Sequence, residues 1–194
     1  MISRIYGLTG GVGMGKTAAG RLLNTLGVQS TDSDGLARKV VEPGQPALDE
    51  IKNNFGEEVL DYQGRLDRSK MASIIFGDEV QRRRLEDIIH PRVKELRVKQ
   101  VAEWRADNVG VGIVIIPLLY EVKAEVEFDK IICIACAPNT QFKRLRDRGW
   151  SDDQIKARVS AQMDISEKMD RSDHLVWNEG VKSVMCEQLK QIIA

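Results

Sequence analysis

The run Gly10-Gly11-Val12-Gly13-Met14-Gly15-Lys16-Thr17 fits the spelling G-x-x-x-x-G-K-[ST], in which every fixed letter has a chemical task. Glycines let backbone N–H groups converge on phosphate oxygens. Lys16 reaches the β- and γ-phosphates, and the Thr17 hydroxyl is placed to ligate Mg²⁺. A helix starting at Lys16 adds the positive end of its dipole. Gly11, Val12, Gly13, Met14, Gly15, Lys16 and Thr17 are therefore the expected ATP-binding residues, with Lys16 also catalytic and Thr17 the metal ligand. The chemistry they suit is ATP-dependent, Mg²⁺-assisted phosphoryl transfer. The alternative is a chance match in a glycine-rich turn. An apolar run before the motif and a helical pattern after it argue against that.

Two further groups of residues suit the same chemistry. Asp32-Ser33-Asp34 ends the second apolar run, which is expected beside the first in space. Carboxylates at the carboxyl ends of strands deprotonate an attacking hydroxyl or hold Mg²⁺ through water. The alternative is that Asp34 only caps the next helix. Arg144 and Arg148, four apart, are expected on one face of a helix that breaks at Gly149-Trp150. Arg158 falls on the next helix, opened by the capping-box pattern Ser151-Asp152-Asp153-Gln154. Arginines so grouped fit a lid that closes over phosphates, or else a solvated face. His90, just before Pro91, reads more readily as a turn or helix-start residue than as a catalyst. Asn178 either hydrogen-bonds a base or belongs to the turn Asn178-Glu179-Gly180.

Positioning these residues calls for an α/β sheet. Strands are expected over residues 2–8, 28–32, 109–116, 130–137 and 175–177. Several are continuous apolar runs, as in parallel sheets buried on both faces. Helices are expected over 16–26, 36–41 and 47–55, with two more within 79–107 that meet at His90-Pro91. The block 43–107 has no strong strand and reads as a helical insertion. A 42% hydrophobic content supports a real core. Lys+Arg and Asp+Glu both number 29, which excludes a broad electrostatic grip on nucleic acid but not a local basic pocket. Three cysteines, Cys133, Cys136 and Cys186, do not make a disulfide framework. The C-x-x-C they include lies within an apolar strand and reads as core filler. Glycine-rich sequence begins by residue 7, too early for a signal peptide, and no apolar run approaches the roughly 20 residues of a bilayer span. A cytoplasmic protein without membrane contact is expected. A GTP-binding switch would want Asn-Lys-x-Asp after a strand, and the sequence has none.

Taken with their neighbours, these residues resemble the dephospho-CoA kinase family. The likeness runs through Gly7-Leu8-Thr9-Gly10-Gly11-Val12-Gly13, Asp32-Ser33-Asp34 with Ala37-Arg38, and Val40-Val41-Glu42-Pro43-Gly44. It continues in Gly64-Arg65-Leu66-Asp67-Arg68, Ile75-Phe76, Ile89-His90-Pro91, Pro117-Leu118-Leu119-Tyr120-Glu121 and Ala161-Gln162-Met163. The resemblance implies an α/β P-loop fold of three layers, a parallel sheet with helices on both faces. It implies a nucleotide-binding core over 1–42, 108–139 and 164–194, a helical substrate domain over 43–107 and a lid over 140–163. The implied reaction moves the γ-phosphoryl group of ATP to the ribose 3′-hydroxyl of dephospho-CoA, the last step of coenzyme A synthesis, in a monomer that needs Mg²⁺. Asp34 becomes the base on that hydroxyl, Asp32 a supporting carboxylate and Arg148 the lid arginine, with Arg144 and Arg158 beside it. Asp32, Arg38 and His90 are the expected contacts to the acceptor. Two departures stand out. Met14 replaces a small Ser, at a position expected to contribute only backbone, and Trp177 stands where an Asp commonly precedes Asn178. The readings that compete are another P-loop small-molecule or nucleotide kinase, and a nucleotide-binding module without turnover.

Overall fold

The computed structural model describes residues 3–194. The chain divides into two compact units. One runs through Asp32 and resumes at Glu103, and the other is Ser33–Ala102. The first unit opens with β1 (Arg4–Gly10), α1 (Lys16–Thr25) and β2 (Gln29–Asp32). The second holds α2 (Ser33–Lys39), α3 (Pro46–Phe55), α4 (Arg68–Ile75) and most of α5 (Glu79–Ala106). The first then continues with β3 (Val111–Ile115), β4 (Lys130–Ala135), α6 (Pro138–Arg146) and α7 (Asp152–Ser160). It ends with α8 (Ile165–Asp170), β5 (His174–Trp177) and α9 (Lys182–Ile193).

Among the described residues, five parallel strands form one sheet in the order β2-β3-β1-β4-β5. The order corrects one expectation. β2 is not the neighbour of β1, because β3 pairs with both and lies between them. Asp32 is therefore displaced sideways from the end of β1 by two strand spacings, about 10 Å. The expected first strand begins at residue 2, which lies outside the described residues. The observed β1 runs on to Gly10, into the phosphate-loop motif.

Alternation along β1 assigns the two faces of the sheet. Tyr6 and Leu8 pack with Ile113, Ile132, Ile134 and Val176 against Ala19 and Leu23 of α1 and Met185 and Leu189 of α9. Towards the other face, Leu119 and Phe128 crowd Gly7, Trp104 crowds Gly112, and α8 lies against β1 and β4. Helical layers on both sides leave the sheet ends as the open surface, and in such sheets the carboxyl ends receive ligands.

The second unit has its own core: Leu36 and Val40 of α2, Ile51 and Phe55 of α3, Met71 of α4, and Leu85, Ile88 and Val93 of α5. Asp67 caps α4 by accepting from the N–H groups of Ser69 and Lys70 at 3.0 and 3.1 Å. Here the structure corrects a second expectation. The two helices expected to meet at His90-Pro91 are a single helix of 28 residues, with Pro91 in its interior. Proline forfeits one helical hydrogen bond and crowds the carbonyl four residues back. The helix persists because Leu85 and Ile88 before it and Val93 after it are buried in one cluster. Arg92 also turns Nη1 back to the Ile88 carbonyl at 2.6 Å, adding a donor in the turn where proline has none. His90 is accordingly an exposed mid-helix residue, not a turn or helix start.

Candidate active site

The chain leaves the central strand at Gly10 and enters α1 at Lys16, so the loop between them lies at the carboxyl end of the sheet. Its curvature depends on glycine. Gly15 has φ of +110°, and a Cβ there would collide with the Asn178 side chain. The first turn of α1 points N–H groups without helical acceptors towards the loop, and the exposed Thr17 hydroxyl is beside them. Lys16 Nζ donates to the carbonyls of Gly10 and Gly11 at 2.7 and 2.9 Å, so the ammonium is folded onto the loop itself. Met14, expected to matter only through its backbone, is 1% exposed and packs with Ala135, Cys136, Ile165 and Met169.

Three side-chain amides hold this loop from outside. Gln141 of α6 donates Nε2 to the Val12 carbonyl at 2.8 Å, and Gln162 accepts the Val12 N–H on Oε1 at 2.9 Å. Asn178 donates Nδ2 to the Met14 carbonyl at 2.8 Å, while its own N–H donates to Ala135 at the end of β4. Between the base-reading and turn roles considered for Asn178, the geometry gives a loop brace. Glu179 beside it accepts from the Ala137 N–H at 2.7 Å and the Thr140 hydroxyl at 2.9 Å, completing the start of α6. Trp177 is fixed through its backbone, which exchanges two bonds with the Gln188 side chain.

The arginines divide. α6 ends at Arg146, so Arg144 and Arg148 do not share a helix face as expected. The N–H groups of Gly149 and Trp150 return to the carbonyls of Arg146 and Leu145 at 2.8 and 3.3 Å, and Gly149 takes φ of +85°. This pairing closes a helix through a left-handed glycine, and it carries Arg148 into the turn. Arg148 is exposed there. Arg144 is half-buried and donates Nη2 to the Asn178 carbonyl at 3.0 Å, which ties α6 to the loop brace. Arg158 lies on α7, whose capping box at Ser151 and Gln154 forms as expected, and its guanidinium sits over the Trp150 ring at 4.5 Å. Asp32 ends β2 in register with Ile115, exposed at the carboxyl edge. Asp34, Arg38 and His90 belong to the second unit. All three are exposed, Asp34 in the first turn of α2, where a carboxylate meets the positive helix end.

Beneath the loop lies a charged pair that no sequence pattern announced. Lys168 of α8 is 0% exposed, and its Nζ bonds Glu121 Oε1 at 2.7 Å and the Pro117 carbonyl at 3.1 Å. Burial pushes the Glu121 carboxyl up, but the Lys168 ammonium and the Met163 N–H together outweigh it and hold the group below its usual range. The cysteines behave as core filler. Burial raises the Cys133 thiol to about 11 and the Cys136 thiol above its ordinary value, so neither is a nucleophile at neutral pH. Gln162 and Glu121 stand in motifs quoted above without a role. Glu121 carried a signal, as an acid closing the apolar stretch 113–120 past the end of β3, whereas Gln162 follows the mixed polar helix α7 and carried none.

No cluster of three or more His, Cys, Asp or Glu among the described residues could hold a metal ion. Mg²⁺ does not require one. It keeps several waters and takes most protein-site ligands from substrate phosphates, so a single hydroxyl such as Thr17 at a phosphate loop fits it. No helix among the described residues is long and apolar enough to cross a membrane.

A family model described as dephospho-CoA kinase matches residues 4–183. Curated dephospho-CoA kinases from Shouchella clausii and Bacillus cereus are 38% and 36% identical over 189 and 190 residues, 97% of this chain in each case and 96% and 95% of theirs. A crystal structure of a Thermus thermophilus protein superposes with a TM-score of 0.85 at 29% identity, covering 100% of this chain and 97% of that one. A loop built for phosphates and a match along nearly its whole length agree: the chain belongs to the dephospho-CoA kinase family, ATP-dependent transferases with an alcohol acceptor.

Proposed function

We propose that this chain phosphorylates dephospho-CoA at its ribose 3′-hydroxyl, with Asp34 as the base and the loop 11–17 as the seat of ATP. The observation that carries the reading is the braced glycine loop, with Lys16 folded over it, at the head of the central strand. ATP would exchange the Gly10 and Gly11 carbonyls for its own oxygens as partners of Lys16. The 3′-oxygen then attacks the γ-phosphorus, the bond to the β,γ-bridging oxygen breaks, ADP leaves and the hydroxyl proton passes to Asp34. Lys16 and the loop N–H groups stabilise the charge on the transferring group, where most of the catalysis of phosphoryl transfer lies. Thr17 would hold Mg²⁺, which supplies charge neutralisation at the β- and γ-oxygens. Asp32, at the strand end two residues before Asp34, supports the base, and Arg38 and His90 contact the acceptor. Arg148, in the turn closed by Gly149, would reach the phosphoryl group when residues 140–163 close as a lid, with Arg144 tying the start of the segment to Asn178 and Arg158 stacked on Trp150 within it. The enzyme acts as a cytoplasmic monomer on ATP and dephospho-CoA.

Incubation of the purified protein with Mg-ATP and dephospho-CoA should give a product one phosphate heavier by mass spectrometry. Asp34→Asn preserves shape and the N-terminal helical position but removes the base. It should lose transfer by at least a hundredfold while ATP binding, read by calorimetry, stays within a few-fold of wild type. An Asn variant with most of its turnover would reduce Asp34 to a helix-end carboxylate.

A further inference from the structure

A closed chain of hydrogen bonds runs from the end of β1 back to the phosphate loop. Thr9 Oγ1 donates to the Pro117 carbonyl at 3.2 Å, and the same carbonyl accepts from Lys168 Nζ at 3.1 Å. Lys168 also meets Glu121 Oε1 at 2.7 Å, and that oxygen accepts the Met163 N–H at 2.9 Å. The residue before Met163 is Gln162, whose Oε1 takes the Val12 N–H. The path thus starts and ends three residues apart in the chain, at Thr9 and Val12, after passing through β3's exit, α8 and the α7–α8 turn. Val12 is held from both sides, since Gln141 takes its carbonyl. Gln141 is 4% exposed and belongs to the packed interior, whereas Gln162 is half-buried on a short turn, where its own N–H goes to the Val159 carbonyl at 3.1 Å and the next N–H, that of Met163, goes to Glu121.

An ion pair with one partner fully buried is an expensive way to hold a turn, because desolvation of each charge offsets much of the attraction. Two apolar residues would pack α8 as well. They would not place a hydrogen-bond acceptor against the Met163 N–H, and so would not fix the backbone that carries Gln162. We propose that Gln162 is a positioning residue for phosphoryl transfer. Its amide oxygen locks the Val12 peptide so that the loop's N–H groups are preorganised for the transferring phosphoryl group, and the Glu121–Lys168 pair sets Gln162 in place. The role lies outside the motif residues that touch nucleotide, and it rests on the kinase reading above.

The test uses the full-length enzyme, two variants at the half-buried Gln162, and a double variant of the Glu121–Lys168 pair alone and with Gln162→Ala. Gln162→Ala removes the acceptor. It should speed amide exchange at Val12, measured by NMR without nucleotide, at least tenfold, and lower kcat at least tenfold while KM for dephospho-CoA changes less than threefold. Gln162→Glu keeps an acceptor of the same reach but adds a negative charge beside the phosphates. Val12 exchange should stay slow, and KM for ATP should rise severalfold. The double variant Glu121→Leu/Lys168→Met removes both charges and the acceptor of the Met163 N–H together, and should release Val12 as Gln162→Ala does, with no further loss when Gln162→Ala is added. Unchanged Val12 exchange in Gln162→Ala, or a kcat within twofold of wild type, would overturn the proposal. Because exchange is read without substrate, it distinguishes failure of this proposal from failure of the kinase reading, which would show as no phosphorylated product from the wild-type chain.

Discussion

Lys16 and Arg148 are both cations assigned to phosphate, but the structure gives them different starting points. Lys16 is folded onto two loop carbonyls, so its position is set before nucleotide arrives. Arg148 sits exposed in a turn, and under the proposed lid role it would have to be brought in. Lys16→Ala should therefore lower kcat by about a thousandfold or more, since the fixed charge at the β- and γ-phosphates is lost, while the loop itself stays braced by Asn178 and Gln141. Stopped-time assays of product formation would read this directly, and near-normal turnover would dismiss the loop as the ATP site. Arg148→Lys keeps the charge but loses the planar fork that grips phosphate oxygens in pairs. It should lower kcat about tenfold or more with a smaller change in ATP affinity. If the Lys enzyme is as fast as wild type, Arg148 belongs to the solvated face. Met14 carries a different lesson. Reading its position as backbone alone overlooked that a loop crossing the top of a sheet has an underside, and the Met14 side chain fills it.

At the scale of elements, long apolar runs were legible and their neighbours were not. β3 and β4 announced themselves because strands buried on both faces need apolar residues at consecutive positions. The placement of β2 at the edge was hidden, because order in a parallel sheet is decided by crossovers and not by any residue of the strand. The capping box of α7 was readable from four residues because it is local chemistry. Helix α5 was misread at Pro91 for the opposite reason. Local chemistry favoured a break, and the buried flanks Leu85, Ile88 and Val93 overrode it. That conflict should be measurable. Pro91→Ala restores an N–H and relieves the ring's crowding of the preceding turn, so it should stabilise the protein by about 1–3 kcal/mol in denaturant unfolding. A neutral or destabilising result would mean that the helix is bent or opened at this point in solution. The braces Gln141, Gln162 and Asn178 were illegible for a related reason: each reaches its partner across more than 100 residues of chain, and single-sequence periodicity has no such range.

For the molecule as a whole, Glu121 is one of the carboxylates through which pH acts, and the one paired with a buried lysine. Its carboxyl is held below the ordinary range in the folded chain, against about 4.3 unfolded. The stabilisation is complete above the unfolded value and is lost as pH falls through the lower, folded one. Urea midpoints taken between pH 3 and 7 should therefore drop on the acid side, and Glu121→Gln should start lower at neutral pH and fall less steeply. Equal acid slopes in the two proteins would assign the drop to other carboxylates. The buried thiols have a consequence for watching the molecule come apart. Cys133 is sealed in the sheet and Cys136 just past the end of β4, Cys186 is half-covered on α9, and the helical unit 33–102 contains no cysteine at all. Thiol-reactive labels are thus a ready-made clock for one unit only. Mass added at Cys133 counts openings of the sheet and is blind to melting of the helices between residues 33 and 102, so labelling set against circular dichroism, which sees both units, separates the two without a single substitution.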